Sequence, residues 1–265
     1  MNSIVCLKQV PDTEAQIRIK PDGSGIITQD IKYIINPYDE FGVEEALKVK
    51  EKFGAGTVTL VSMGPQRAIE SIRMALAMGA DKAIHLDDPA FEDGDAYTTA
   101  KVLAQAIKGL EYDIIFCGRQ AIDDDLAQVG SALAEMLAIP QIYLVTKVEV
   151  ASDKKKAKVN RQVVGGEEVI ETTLPAVLTC QKGLNEPRYA SLPGIMKAKK
   201  KEVKTMNAAA LGIDPNSAGK TGAKCRILKM YSPPTRSAGK IVTGADAAET
   251  ALQLAKLLRE EAKII

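Results

Sequence analysis

Residues 57–86 read Thr57-Val58-Thr59-Leu60-Val61-Ser62, then Gly64-Pro65, then a helix-period segment from Gln66 to Met78, then Lys82-Ala83-Ile84-His85-Leu86. Two short apolar runs rich in β-branched residues flank a segment whose proline sits where a helix tolerates it best, the grammar of a βαβ unit. The same grammar extends outward. Residues 4–7 and 113–118 read as further buried strands, and 42–52, 96–108 and 124–137 as further helices. The first of these helices is entered near Asp39 and carries Val43, Ala46, Leu47 and Val49 as an apolar stripe. Strands separated by helices of this length predict a mostly parallel sheet covered on both faces. Right-handed crossovers then make it a doubly wound, Rossmann-like α/β fold.

After Pro140 the pattern changes. Residues 141–150, 156–163, 168–172 and 176–179 read as strands joined by turns, with Ser152-Asp153 and Gly165-Gly166 as breakers, a β-rich extension of the core. Residues 205–234 have weak periodicity and recurrent Gly and Pro, and 245–263 fit an amphipathic helix. An irregular stretch of that length before a terminal helix predicts an arm laid on a partner. The expected units are an α/β core with its extension over 1–184, a recognition segment over 185–204, and the arm over 205–265.

Lys+Arg 35 against Asp+Glu 34 gives a net charge of +1, which argues against a whole-chain nucleic-acid binder. With Trp 0 and aromatics at 4%, base-stacking platforms are scarce. No window approaches the ~18 continuous apolar residues of a membrane span. Residues 1–6 show no secretory pattern, and Cys6, Cys117, Cys180 and Cys225 never form a C-x-x-C pair. The simplest compartment is a reducing cytoplasm.

Open parallel sheets bind ligands beyond the carboxyl ends of their strands. That rule singles out residues 6–13, 36–39, 63–66 and 118–130 as walls of one crevice. None contains G-x-G-x-x-G or a Walker loop. The densest stretch is Cys117-Gly118-Arg119-Gln120-Ala121-Ile122-Asp123-Asp124-Asp125. Gly118 permits close backbone approach, Arg119 and Gln120 are planar donors for phosphate or an adenine edge, and Asp123 or Asp124 can cap the following helix. That helix's first amides can receive an anion. The same residues read equally as an ordinary capped βα loop. His85, the one histidine, sits in an apolar run and reads as a core side chain, which weakens hydrolytic triads and histidine-rich metal sites. No catalytic constellation and no metal site is expected, so redox or group-transfer chemistry would belong to a cofactor.

A second segment reads Asn185-Glu186-Pro187-Arg188-Tyr189-Ala190-Ser191-Leu192-Pro193-Gly194-Ile195-Met196, followed by Lys197, Lys199, Lys200 and Lys201. A leucine held between Ser and Pro can plug a pocket on another protein, with lysines steering an acidic partner. A solvated lysine face beside a turn is the plainer alternative.

Taken with Gly165-Gly166-Glu167-Glu168, Leu174-Pro175-Ala176-Val177-Leu178-Thr179, Asn36-Pro37-Tyr38 and Met74-Ala75-Leu76-Ala77-Met78-Gly79-Ala80-Asp81, these strings resemble the β subunits of electron transfer flavoproteins over almost the whole chain. The resemblance implies a heterodimer with a larger α subunit that holds most of the FAD, an electron-transfer role without independent catalysis, and docking of acyl-CoA dehydrogenase-type donors. It implies an AMP pocket formed by Cys6, Asn36, Pro37, Tyr38, Asp39, Met63, the Gly118 to Asp125 string, Gln128, Val129, Gly130 and Ser131. Leu192 would be the partner anchor, flanked by Tyr189 and Ile195. Lys197 and Lys200 fall where some relatives carry methylated lysines.

Two positions and one string depart from the family pattern. Gln162 stands where some relatives have a Glu that pairs with an α-subunit Arg. Thr13 stands where some have a Tyr beside the flavin ring. Lys8-Gln9-Val10-Pro11-Asp12-Thr13 is similar to electron-bifurcating members, which hold a second FAD in place of AMP, whereas Asp123-Asp124-Asp125 is similar to the AMP-binding members. The expectation is AMP, with the second FAD as its alternative and room for it near residues 95–99. The rival of another class is an adenine-nucleotide-hydrolysing enzyme on the same fold.

Overall fold

The computed structural model describes residues 1–235 and 238–265. In chain order its elements are β1 (Ser3–Cys6), β2 (Gln9–Pro11), β3 (Tyr33–Ile35), α1 (Pro37–Phe53), β4 (Val58–Met63), α2 (Ala68–Met78) and β5 (Lys82–Leu86). Then come α3 (Ala96–Lys108), β6 (Ile114–Gly118), α4 (Val129–Leu137), β7 (Gln141–Val150), β8 (Lys156–Val163), β9 (Gly166–Thr173) and β10 (Val177–Cys180). The chain closes with α5 (Leu192–Ala198), β11 (Val203–Met206), α6 (Ala208–Leu211), α7 (Gly219–Gly222) and α8 (Ala247–Glu260).

One sheet has the order β11-β5-β4-β1-β6-β10-β7-β8-β9. It is parallel from β11 to β7 and antiparallel at β8 and β9. This is the doubly wound α/β architecture with a β-rich extension that the sequence predicts. Successive strand residues face opposite sides, so Val5 and Leu60 pack under α1 and α2 while Ile4 and Val61 pack under α3 and α4. Two apolar layers explain why β1 is buried throughout and why alternation is missing from the central strands. Phe116, fully buried in the centre of the sheet, contributes about 2–3 kcal/mol by leaving water.

Strand order reverses between β1 and β6. From β1 the chain moves out through β4 and β5, then returns across the other face by α3 to β6 on the far side. The carboxyl ends of β1 and β6 therefore face a crevice not roofed by a single connection, the position where such sheets take ligands.

The structure corrects several boundaries. Helix α1 begins at Pro37, not near Asp39, with Asn36 as its N-cap and the proline in the first turn, where its missing N–H costs nothing. Helix α4 begins at Val129, not near Asp124; residues 122–124 form a turn, and Asp125 and Ala127 have left-handed backbone. Two features were not anticipated. Gln9–Pro11 pairs antiparallel with Tyr33–Ile35, and Val203–Met206 adds a parallel edge strand beside β5. The basic stretch thus ends in the sheet. The terminal helix α8 is capped by Asp246, and among the described residues it has no buried side chain.

Candidate functional site

Asp39, in the first turn of α1, ties the crevice together. Its Oδ2 accepts the Lys8 amide at 2.7 Å, and its Oδ1 accepts the Gly118 amide at 3.0 Å and Asn36 Nδ2 at 2.9 Å. One buried carboxylate therefore joins the ends of β1 and β6 to the start of α1. Burial pushes its carboxyl up to about 7, against the pull of those donors. Asn36 spends the rest of its amide on the next loop: Nδ2 donates to the Gln120 carbonyl at 2.8 Å, and Oδ1 accepts the Ile122 amide at 3.2 Å. Gly118 is needed for this closeness, since a Cβ there would lie 2.3 Å from Asp39 Oδ1 and 2.8 Å from Tyr38 Cβ.

A cavity of about 320 Å³ opens beyond these strand ends, at the lower end of the range for small-molecule pockets. Of the residues expected there, Cys6, Asn36, Asp39, Met63, the stretch from Gly118 to Ala121, Asp124, and Gln128 to Gly130 line it. Pro37, Tyr38, Ile122, Asp123, Asp125 and Ser131 stand beside it instead. Tyr38 carries the Arg119 guanidinium 5.1 Å from its ring centroid, and Arg119 Nε donates to Gln120 Oε1 at 2.8 Å. Gln128, the N-cap of α4, makes no side-chain capping bond. The first turn of α4, with Val129 and Gly130 on the cavity wall, thus keeps its backbone amides free of a side-chain cap, and such a helix start is the usual receptor for an anion.

Asp123 and Asp124 do not cap α4, contrary to the sequence expectation. They pair with Lys8 Nζ at 2.7 and 3.0 Å across the mouth of the cavity. Burial depresses the Lys8 ammonium, but the hydrogen bonds and charges of the two aspartates outweigh it and hold Lys8 protonated. Asp124 also accepts the Leu126 amide at 3.1 Å, and Asp125 accepts Gln120 Nε2. The triple-acid string fastens a loop and does not start a helix.

The sequence reading missed part of the opposite wall: Val61, Phe91, Gly94 and Leu103 also line the cavity, beside Lys8 of the 6–13 segment and Asp95 of the 95–99 segment. Asp95 was legible as the start of a capping box, its Oδ1 accepting the Thr98 amide at 2.9 Å while Thr98 Oγ1 accepts the Asp95 amide at 3.0 Å. Lys8 falls within the strand-end segment 6–13 that the sheet rule places at the crevice, but its pairing with the two aspartates had no local signal. On the floor, the Cys6 thiol and burial push the Cys117 thiol well above its ordinary range, so it is no nucleophile near neutrality. His85 is fully buried, with Nε2 2.8 Å from the Gly64 carbonyl. Among the described residues no group of His, Cys, Asp or Glu could hold a metal ion.

A separate surface carries the other expected residues. Leu192 is 80% exposed and Tyr189 97%, with Ile195 and Met196 also exposed, and Lys197 and Lys200 beside them are exposed as well. Leu192 is the first residue of α5, not part of a loop, and Ser191 Oγ caps that helix by accepting the Gly194 amide at 3.1 Å. Gln162, on β8, accepts Gln181 Nε2 at 2.8 Å.

Comparison with known proteins fits this geometry. The electron transfer flavoprotein domain family matches residues 24–211. An electron transfer flavoprotein subunit beta of Thermoanaerobacterium thermosaccharolyticum is 48% identical over 245 residues, 92% of this chain and 93% of the relative. That of Bacillus subtilis is 44% identical over 268 residues, covering all of both chains. A caffeyl-CoA reductase-Etf complex subunit CarD of Acetobacterium woodii is 39% identical over 262 residues, 98% of this chain and 99% of the relative. With a crevice at the β1/β6 switch and near full-length identity to these relatives, the chain belongs to the electron transfer flavoprotein β-subunit family.

Proposed function

We propose that this chain is the β half of a heterodimeric electron carrier, that it holds AMP in the crevice, and that it docks acyl-CoA dehydrogenase-type donors through Leu192. The observation that carries the adenylate assignment is the cavity at the switch point with the α4 amides on one wall. Val61, Phe91 and Leu103 supply an apolar side for a base, Gly118 lets the backbone come close, and the first turn of α4 suits a phosphate. The α-subunit's FAD, when bound, supplies the redox chemistry. This chain's part is to enclose and to dock, with residues 1–184 as the nucleotide-holding core, 185–204 as the docking segment and 205–265 as the arm on the α subunit. Leu252 and Leu254 on α8 are exposed, as an arm awaiting a partner requires. All four cysteines are free, which supports a cytoplasmic compartment.

A second reading replaces AMP by a second FAD, as in electron-bifurcating carriers. What favours it is the 39% identical relative from a reductase–Etf complex and a cavity rim that runs on through Asp93 to Thr99. The heterodimer purified with its ligands is expected to contain one flavin and one AMP. Two flavins and no AMP overturns the AMP assignment.

Leu192→Ala tests the docking role. An anchor seated at the centre of an interface carries a large share of binding, so the variant is expected to lose about tenfold or more in kcat/KM for reduction by its dehydrogenase. Melting temperature and nucleotide content stay unchanged, because the side chain packs on nothing in the core. Unaltered coupling in a dye-reduction assay rejects the anchor.

A further inference from the structure

The docking segment could belong to a loop that orders only on contact, yet its ends are bound firmly to the body. At the entry, Arg188 Nε and Nη2 reach the buried carboxylate of Glu44 at 2.8 and 2.9 Å, and its backbone amide reaches the same carboxylate at 3.1 Å. Arg188 Nη1 also reaches Glu51 at 2.6 Å. Asn185 Nδ2 donates to Glu45 at 2.9 Å and to the Phe41 carbonyl at 3.0 Å. All four acceptors lie on α1. At the exit, Arg73 of α2 donates from Nη1 to the carbonyls of Ala198 and Lys201, both at 2.7 Å. Lys201 Nζ returns to the Leu76 carbonyl at 2.9 Å and to that of Ala80. Between the two clamps, Gly194 brings α5 down on α2, where a Cβ would lie 2.5 Å from the Ala77 carbonyl. The large apolar side chains that remain outside are Tyr189, Leu192, Ile195 and Met196.

We infer that Arg188 and Arg73 are positioning residues that hold the Leu192 platform in its docking conformation before any electron donor arrives. Neither touches the donor; each removes part of the ordering cost that a flexible segment would meet on binding. Two bonds from one guanidinium nitrogen, one to the last carbonyl of a seven-residue helix and one to Lys201 just beyond it, fix where that helix ends and so where Leu192 points. The inference rests on reading the exposed segment as the donor surface.

The test uses the intact heterodimer with its dehydrogenase. Arg73→Gln keeps a polar side chain but cannot span both carbonyls. Ordering a few side chains costs about 1.4 kcal/mol, so the KM for the donor is expected to rise about tenfold with kcat changed less than about twofold. Flavin and nucleotide content match wild type, and amide exchange over residues 189–198 speeds up. Deleting Arg188 would strand Glu44 as a buried unpaired carboxylate and could unfold the subunit, so Arg188→Lys is the companion variant. It keeps a charge beside Glu44, loses the fork to Glu51 and is expected to shift KM in the same direction. An unchanged KM and unchanged exchange in Arg73→Gln, beside a Leu192→Ala that does weaken docking, overturns the inference alone. An inert Leu192→Ala overturns the docking reading and this inference with it.

Discussion

Replacing Asp39 by alanine is expected to cost about 3 kcal/mol or more of stability near pH 5, and less at pH 8. The alanine leaves the Lys8 amide, the Gly118 amide and one of the two Asn36 Nδ2 hydrogens without an acceptor, at about 1–3 kcal/mol for each buried donor left unmade. The pH dependence follows from where the proton sits. The Asp39 carboxyl ordinarily titrates near 3.8 but is raised to about 7 in the fold. Between those values the folded chain keeps a proton that the unfolded chain has released, so stability is greatest below about pH 4 and falls as pH rises through 7. At about 1.4 kcal/mol per unit, the wild-type protein loses about 2–3 kcal/mol from pH 5 to pH 7 through this group. The variant lacks that slope. Urea unfolding of the assembled protein at several pH values reads both, and parallel wild-type and Asp39→Ala curves would show a carboxylate ionised throughout.

Gly118→Ala is expected to empty the crevice. Its Cβ would sit 2.3 Å from Asp39 Oδ1 and 3.0 Å from the Tyr38 carbonyl carbon, and that helix backbone cannot move aside cheaply. Relief requires the end of β6 to withdraw from α1, which breaks the Gly118 amide bond to Asp39 and shifts the loop that Asn36 holds. Overpacking of this kind costs about 1–3 kcal/mol before the lost hydrogen bond is counted. The expected result is a lowered urea midpoint and less than one nucleotide per heterodimer after desalting. Gly166→Ala is the matched control, since nothing lies within 4 Å of a Cβ there, and it should remain within about 0.5 kcal/mol of wild type. A Gly118→Ala protein with full nucleotide content and an unmoved midpoint would remove the close approach from the account.

Where the chain's own spacing carried the information, reading it succeeded. Residues 96–108 and 156–163 are helix and strand as predicted, because a long apolar stripe and a period-two run each need only their own neighbours. Short elements were a different matter. Val203–Met206 and Gln9–Pro11 have little apolar pattern; the first becomes a strand because the β5 edge offers hydrogen-bond partners, the second because the distant Tyr33–Ile35 is brought alongside it as a two-stranded ribbon. The acids at 123–125 show the same limit within the site. Locally they look like helix caps, yet a lysine 115 residues away from Asp123 draws that carboxylate across the cavity mouth, and the helix starts later.

Strand and helix periodicity and turn chemistry determined a doubly wound sheet and most of the residues at the carboxyl edge of its strands. They did so because burial of apolar faces acts at short spacing along the chain. Tertiary structure alone decided that Asp39 binds two strand ends at once, that Lys8 pairs with Asp123 and Asp124 beside the cavity, that Phe91 and Leu103 join its wall, and that Arg73 and Arg188 clamp the Leu192 platform. Those contacts join residues distant in sequence, and a hydrogen bond between two such groups exists only once the packing around it has brought donor and acceptor within reach.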